Sequence, residues 1–381
     1  MTRIVLIAPS YLPSRRANSF QVMKTAAALA ELGHEVLVLA PLPDGSHTHD
    51  PDISTRWSDL AEHYGIRTAF EVEWLSSGST WRGYDFGWKA AAWAIDQEAD
   101  LVLARHPQAA AAASLRGIPS VLEIHDYPHG TAGPWLLRLF LSGRGARRLV
   151  AVSRALLGDL ARDFRIPPPP FAIVSPDGVD LERYTELPSP SAARAALGFP
   201  ERFTAGYTGH LYPGRGVETI LALASRLPEV QFLIVGGREA DLERVRAAAA
   251  GLDNVNLTGF IPNAYLPNYQ AACDVLLMPY GEKIAASSGG DIARYLSPMK
   301  LFEYLASGRA VVSSDLPVLR EVLDDRIAVL LPPGDVGAWA AALETLIADP
   351  DRRRVLGEAA RAEAAGYSWQ SRARGILAGL G

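Results

Sequence analysis

Short apolar runs recur along the chain, each followed by a stretch with helical spacing. They fall at Ile4–Ala8, Val36–Leu39, Leu101–Leu103, Ser120–Ile124, Leu149–Val152 and Ala172–Val174. A second series falls at Ala205–Thr208, Phe232–Val235, Val255–Leu257, Val275–Met278, Ala310–Ser313 and Ala328–Leu331. Runs that are apolar throughout belong to strands buried on both faces, and strands separated by helices pair in parallel. Residues 20–32 and 240–250 are clear intervening helices. Two series of about six strands predict an α/β protein built from two doubly wound, Rossmann-like parallel-sheet domains. A chain of 381 residues is also too long for one ordinary core. The polar break Pro188-Ser189-Pro190-Ser191 puts the domain boundary near residue 190. The run Pro167–Pro170 reads as a rigid loop inside the first domain. Ligands of such sheets bind beyond the carboxyl ends of the strands, and two facing domains would hold a site in the cleft between them.

Composition narrows the chemistry. A net charge of −5 gives no reason to expect nucleic acid as a partner. The single cysteine, Cys273, excludes an intramolecular disulfide and a cysteine-cluster metal site, and its neighbours make it a small core residue. No apolar run approaches the roughly 18 residues of a membrane span, so a cytoplasmic protein is expected. Neither first strand is followed by G-x-G-x-x-G, which argues against a dinucleotide.

The loop after Ala205–Thr208 reads Gly209-His210-Leu211-Tyr212-Pro213-Gly214-Arg215-Gly216. Glycines, two potentially cationic side chains and a following helix start suit a diphosphate, although a solvated surface loop has the same composition. Gly236-Gly237 ends another strand and reads as a tight turn or a second approach for ligand backbone contacts. Ser297–Ser314 reads as a helix followed by a strand, with Ser297 as cap, Pro298 in the first position and Gly308 as stop. Lys300 lies in that first turn, which is the wrong end for a cation unless an anion is present; otherwise it snorkels. Glu303 sits mid-helix among Leu301, Phe302, Tyr304 and Leu305. A half-buried carboxylate needs donors, and a pair of ribose hydroxyls would supply two. His125, in Glu123-Ile124-His125-Asp126 at a strand end, can reach into a cleft or serve the core.

Taken together, these stretches resemble the GT-B glycosyltransferases of family 4, the retaining group that uses nucleoside-diphosphate sugars. The resemblance runs end to end, through Ala30–Val36, Ile124-His125-Asp126, Val152-Ser153-Arg154, Val174–Asp180, Gly209–Gly216, Gly259-Phe260-Ile261-Pro262 and Lys300–Gly308. It implies that Glu303 is the second glutamate of the family's E-x7-E motif and holds the ribose. Arg215 stands where the family usually has the phosphate-binding lysine, and His210 where it usually has an arginine. His125 matches the histidine near the donor sugar, Phe260 and Ile261 the turn that frames the base. Ser297, Pro298, Met299, Lys300 and Leu301 would offer backbone amides to the diphosphate or sugar, with Gly237 beside them. The pattern also departs from the family. Tyr295 stands where the first glutamate of E-x7-E belongs, Asp177 replaces the usual asparagine, and Asp291 is the nearest carboxylate able to substitute for the missing glutamate.

The implied reaction is retaining transfer of a sugar from a nucleoside-diphosphate sugar, UDP favoured, to a glycan, lipid-linked or small-molecule acceptor. Arg215, His210 and the helix start near Ser297 would stabilise the departing diphosphate, and His125 would serve the sugar, so neither cofactor nor metal is expected. A GT-B nucleotide-sugar epimerase and a non-catalytic nucleotide-sugar binder are the alternatives. Trp369 resembles the start of the family's C-terminal helix, so residues 367–381 are expected to cross back from a second domain at 191–366 to the first at 1–190. Five tryptophans within residues 57–93 offer an acceptor platform or ordinary packing. Residues 135–154 mix apolar bulk with five arginines and read either as a peripheral contact with anionic lipid at the inner face of the membrane or as an ordinary amphipathic helix with a basic end. Asp44–Asp52, with two histidines and three aspartates, reads as a polar loop in preference to a metal site.

Overall fold

The structure, a computed structural model, describes residues 1–42, 54–76, 85–285 and 290–380. It divides into two compact units, Met1–Asp177 with Trp369–Gly381, and Gly178–Ser368.

The first unit is a seven-stranded parallel sheet of β1 (Arg3–Ile7), β2 (Glu35–Pro41), β3 (Glu71–Leu75), β4 (Leu101–Ala104), β5 (Ser120–Ile124), β6 (Ala146–Ala151) and β7 (Ala172–Val174), ordered 3-2-1-4-5-6-7. Its helices are α1 (Ala17–Glu31), α2 (Trp57–Tyr64), α3 (Phe86–Asp96), α4 (Pro107–Leu115), α5 (Ala132–Ser142) and α6 (Arg154–Phe164). Apart from Arg3 at the start of β1, the central strands are buried throughout, as continuous apolar runs require. β3 escaped the sequence reading because it is an edge strand. Its residues Glu-Val-Glu-Trp-Leu alternate charge with bulk and stay partly exposed.

The second unit begins with α7 (Pro190–Leu197) and continues as β8 (Thr204–Thr208), α8 (Val217–Arg226), β9 (Gln231–Val235), α9 (Glu239–Ala248), β10 (Val255–Gly259), α10 (Leu266–Ala271), β11 (Val275–Met278), α11 (Met299–Ser307), β12 (Ala310–Ser314), β13 (Ala328–Leu331), α12 (Val336–Ala348) and α13 (Pro350–Ala364). Its six parallel strands run in the order 10-9-8-11-12-13. Cys273 is buried in this core, and a Cβ on Gly206 would lie 2.1 Å from its Sγ. α14 (Trp369–Leu377) then returns to the first unit, where Trp369 is buried.

Three expectations need correction. The boundary lies between Asp177 and Gly178, not near 190. The Pro-Ser-Pro-Ser stretch is a helix start: Ser189 Oγ accepts from Ala192 N (3.3 Å) and Pro190 fills the first position of α7. Residues 178–190 pack on the second unit through Val179 and Tyr184, and Val179 N donates to Tyr367 O (2.9 Å). Second, Ser297 does not cap α11; Pro298 takes the cap position and Met299 begins the helix. Third, residues 135–154 are not one lipid-facing surface. They span α5, the buried strand β6 and the start of α6. Arg148 is buried and donates to the carbonyls of Ile376 and Ala378 (2.7 Å), meeting groups that the end of α14 leaves free. No helix among the described residues is long and apolar enough to cross a membrane.

Candidate functional site

In the second unit, the predicted donor residues gather where β8, β9 and β11 end and α11 begins. Gly209 follows β8 in the left-handed half of backbone space (φ +133°), and a Cβ there would sit 2.8 Å from Lys300 Nζ. That contact is why the position suits glycine. Lys300 Nζ lies 3.7 Å from the centroid of the Tyr207 ring and is buried with no hydrogen-bond partner. Burial, then the charge of Arg215, pushes its ammonium well below the usual lysine range, against the pull of Glu303. Arg215 reaches Tyr280 Oη (3.4 Å) and Ala285 O (3.5 Å), both at the long limit, while its Nε is buried without a partner. Two cationic groups are therefore held together by packing on tyrosine rings, with no carboxylate among the described residues bonded to either. Such an arrangement is costly unless an anion completes it. The first backbone N–H groups of α11 add positive potential at the same place.

Glu303 is half-buried on α11, and its Oε2 accepts from Gln270 Nε2 (3.4 Å). Gln270, on α10, is wholly buried; its Oε1 accepts from Tyr184 Oη (2.9 Å). Tyr304 accepts at Oη from Thr208 N (2.7 Å), which fixes α11 against β8. Gln270 thus holds Glu303 in place, a role that nothing in its sequence neighbourhood signals.

The remaining predicted residues are placed as follows. His210 stacks on Tyr212 with ring centroids 4.8 Å apart, and its carbonyl accepts from Tyr207 Oη (2.6 Å). Gly237 has φ +96°, and a Cβ there would meet Leu211 Cδ1 at 2.6 Å, so close packing of two loops accounts for this glycine. Phe260 and Ile261 follow β10 and are both half-buried. Asp291 is exposed, and its Oδ1 accepts from Ile284 N (2.9 Å) and Ala293 N (3.0 Å), bonds that hold its carboxyl below the usual range. It is engaged in closing its own loop, whose residues 286–289 lie outside the described ones. Tyr295 is half-buried under Arg294. The tryptophans of 57–93 are spread over α2, β3 and α3: Trp57 packs on Phe70, Trp74 donates to Leu12 O (2.8 Å), and Trp88 lies under Arg116. Trp81 and all of Asp44–Asp52 lie outside the described residues. Among the described residues no group of three or more His, Cys, Asp or Glu side chains could hold a metal ion.

In the first unit, the ends of β4, β5 and β7 and the helix α14 bring together a cluster of buried charges. Glu123 Oε1 accepts from Gln21 Nε2 and His125 Nε2 and forms an ion pair with Arg372, whose Nη2 lies 2.8 Å away. Arg105 Nη1 donates to Gln21 Oε1 (2.9 Å), and Arg372 Nε donates to Pro176 O (2.9 Å). Burial opposes ionisation of Glu123, but Arg372, His125 and Arg105 outweigh it and hold its carboxyl far below the usual range. Burial and Arg105 push His125 down to about 4, against Glu123. Burial pushes Asp177 up to about 7 even though Arg372 and Arg105 oppose it. Sequence reasoning singled out His125 and Asp177 but missed Glu123 and Arg372, which lie two and 247 positions from His125. The signal available was a glutamate inside an otherwise apolar strand run.

The elevated carboxyl has a consequence for stability. Between about pH 4 and pH 7 the folded chain keeps the Asp177 proton while the unfolded chain releases it, so stability falls as pH rises through that window. Asp177→Asn replaces the protonated carboxyl by a neutral amide of the same shape. It should match wild type near pH 4 and exceed it by about 1–4 kcal/mol at pH 8, at about 1.4 kcal/mol per unit of pKa. Thermal melts of both proteins across pH 4–8 check this; parallel Tm curves would rule it out.

Comparison with known proteins bears on the same halves of the chain. The model for Glycosyltransferase Family 4 matches residues 20–183, and that for Glycosyl transferases group 1 matches residues 202–349. This chain belongs to the family 4 glycosyltransferases. It is 30% identical over 243 residues to a D-inositol 3-phosphate glycosyltransferase of Segniliparus rotundus, covering 61% of this chain and 51% of that protein. The chain thus spans about half the length of the first curated relatives it matches. It is 27% identical over 384 residues to phosphatidyl-myo-inositol mannosyltransferase of Mycolicibacterium smegmatis, covering 96% and 90% of the two chains. Solved structures share the fold. A sucrose-phosphate synthase from Thermosynechococcus elongatus superposes with a TM-score of 0.74 at 20% identity, covering 98% and 96% of the chains. Anabaena HepE in complex with UDP and glucose also gives 0.74, at 18% identity and 99% and 98% coverage. The family 4 chain therefore has the GT-B fold, its two parallel-sheet units corresponding to the two series of strands.

Proposed function

We propose that this family 4 chain is a retaining glycosyltransferase that takes a sugar from a nucleoside diphosphate, UDP in the favoured case. The observation that carries the reading is the pair of cations in the second unit. Among the described residues, Lys300 Nζ and the Nε of Arg215 are buried without hydrogen-bond partners beside the amino end of α11. Negative charge on a departing diphosphate would find preorganised cations and amides there, and that is where charge grows as the glycosidic bond breaks. Glu303, held by Gln270, would take the ribose hydroxyls. The departing phosphate would serve as base toward the acceptor hydroxyl on the same face, so no protein nucleophile and no metal or cofactor is required. His125 would contact the donor sugar; His210, stacked on Tyr212, would contribute charge only when protonated. The chain length shared with the mannosyltransferase relative, and the words inositol and phosphate in the relatives' names, favour a phosphorylated or lipid-linked polyol as acceptor.

The test is calorimetric titration of the protein with UDP-, GDP- and ADP-sugars, followed by turnover of each binder with myo-inositol phosphates and phosphatidylinositol vesicles. Binding of one nucleotide-sugar series with an anomer-retaining product supports the reading. Binding without turnover on any acceptor would favour a nucleotide-sugar binder, and a free epimeric nucleotide sugar would favour an epimerase.

A further inference from the structure

Glu123 has no part in the reading above, yet its side chain is 0% exposed and ionised. Two donors, Gln21 and His125, and the ion-paired guanidinium of Arg372 converge on one oxygen, and among the described residues Oε2 is buried with no hydrogen-bond partner. A carboxylate only accepts hydrogen bonds, so the ring nitrogen of His125 that faces it, Nε2, must carry the hydrogen. A neutral imidazole has one N–H, which leaves Nδ1 as a bare acceptor. The His125 side chain is 19% exposed, and among the described residues Nδ1 makes no hydrogen bond. The charged groups around the ring come from every side of the cluster. Glu123 lies on β5, Arg105 after β4, Asp177 after β7 and Arg372 on α14. Burial, then Arg105 and Arg372, disfavour an imidazolium more than Glu123 favours it, and push the ring down to about 4, which favours its neutral form at physiological pH.

We propose that Glu123 is a positioning residue that fixes His125 as the neutral Nε2–H tautomer, so that Nδ1 accepts a hydrogen bond from a hydroxyl of the transferred sugar. Arg372 contributes by holding the carboxylate ionised and joining it to α14. Only the identity of the hydroxyl rests on the glycosyl-transfer reading; the tautomer does not.

The experiment uses the full chain labelled with 15N-histidine, with the His125 signals assigned by their loss in His125→Gln. Wild type should show a bare Nδ1 and a protonated Nε2 from pH 5.5 to 8. An imidazolium, or an Nδ1–H tautomer, at pH 7 would overturn the proposal without any variant of Glu123. The second arm removes the carboxylate together with its partner, in Glu123→Met/Arg372→Met, because a charge-balanced apolar replacement is better tolerated than one buried charge left alone. That variant should show mixed tautomers and a kcat lower by roughly 3–10-fold, the scale of one hydrogen bond. Wild-type signals and wild-type kcat in the double variant would refute the role of Glu123. If no nucleotide sugar turns over, the transfer reading fails and the sugar hydroxyl with it, while the tautomer signature still decides whether Glu123 sets the ring.

Discussion

Arg215→Ala is expected to lower kcat by roughly 10²–10³-fold, the scale for removing one preorganised group from a developing charge. Arg215 is poorly satisfied by its surroundings. Its guanidinium packs on the Tyr280 ring, makes two hydrogen bonds at the long limit, and keeps Nε buried without a partner. A guanidinium that served the fold alone would be expected to meet carbonyls squarely, as Arg148 does at the end of α14. Arg215 instead shares its surroundings with Lys300, whose ammonium it helps to push down. An incoming diphosphate would relieve both, and most so when the leaving oxygen is fully charged. The loss should therefore fall on kcat more than on affinity for the nucleoside. Steady-state kinetics together with calorimetry of nucleoside, monophosphate and diphosphate separate the two. An Arg215→Ala enzyme with unaltered kcat/KM would remove this residue from the site.

How much of this was legible in the sequence depends on how local each feature is. The strands of both sheets were visible because parallel strands covered on both faces must be apolar along their whole length. β3 was not, because an edge strand has no such requirement. The boundary was misread for a related reason. Proline and serine mark a helix start and a linker with the same letters, and only the cap from Ser189 to Ala192 tells them apart. Glu303, Arg215 and Lys300 stood out because a charge among apolar or glycine residues is a local anomaly. Gln270 and Arg372 did not. Their partners, Glu303 and Glu123, lie 33 and 249 positions away, a relation that the fold creates and no spacing rule encodes. Asp291 stood out in the same local way: a carboxylate near a glycine pair suggests a ligand role, and in this structure its Oδ1 accepts two backbone hydrogen bonds within its own turn.

Glu303→Ala is expected to erase a preference for ribose over 2′- or 3′-deoxyribose nucleotides of about 1.5–3 kcal/mol, the range for hydrogen bonds to a charged group. The carboxylate is half-buried, and among the described residues the one hydrogen bond drawn to it comes from Gln270 at 3.4 Å. That bond is long, so most of its accepting capacity is open to a ligand. Gln270 in turn is oriented by Tyr184, whose hydroxyl donates to Oε1 and so leaves the amide N–H₂ pointing at Glu303. Two vicinal hydroxyls would supply donors on the remaining lone pairs, and loss of either hydroxyl would leave the carboxylate short of a partner it can replace only with water. The alanine variant should bind the ribonucleotide as weakly as it binds either deoxy form. Glu303→Gln, which keeps shape but presents a mixed donor and acceptor, should fall between the two. Gln270→Leu should lower affinity without abolishing the ribose preference, since Glu303 would be less well held but still present. Calorimetry of the nucleoside diphosphate and its two deoxy analogues against all four proteins decides the matter. Wild-type discrimination surviving in Glu303→Ala would show that the ribose is held elsewhere.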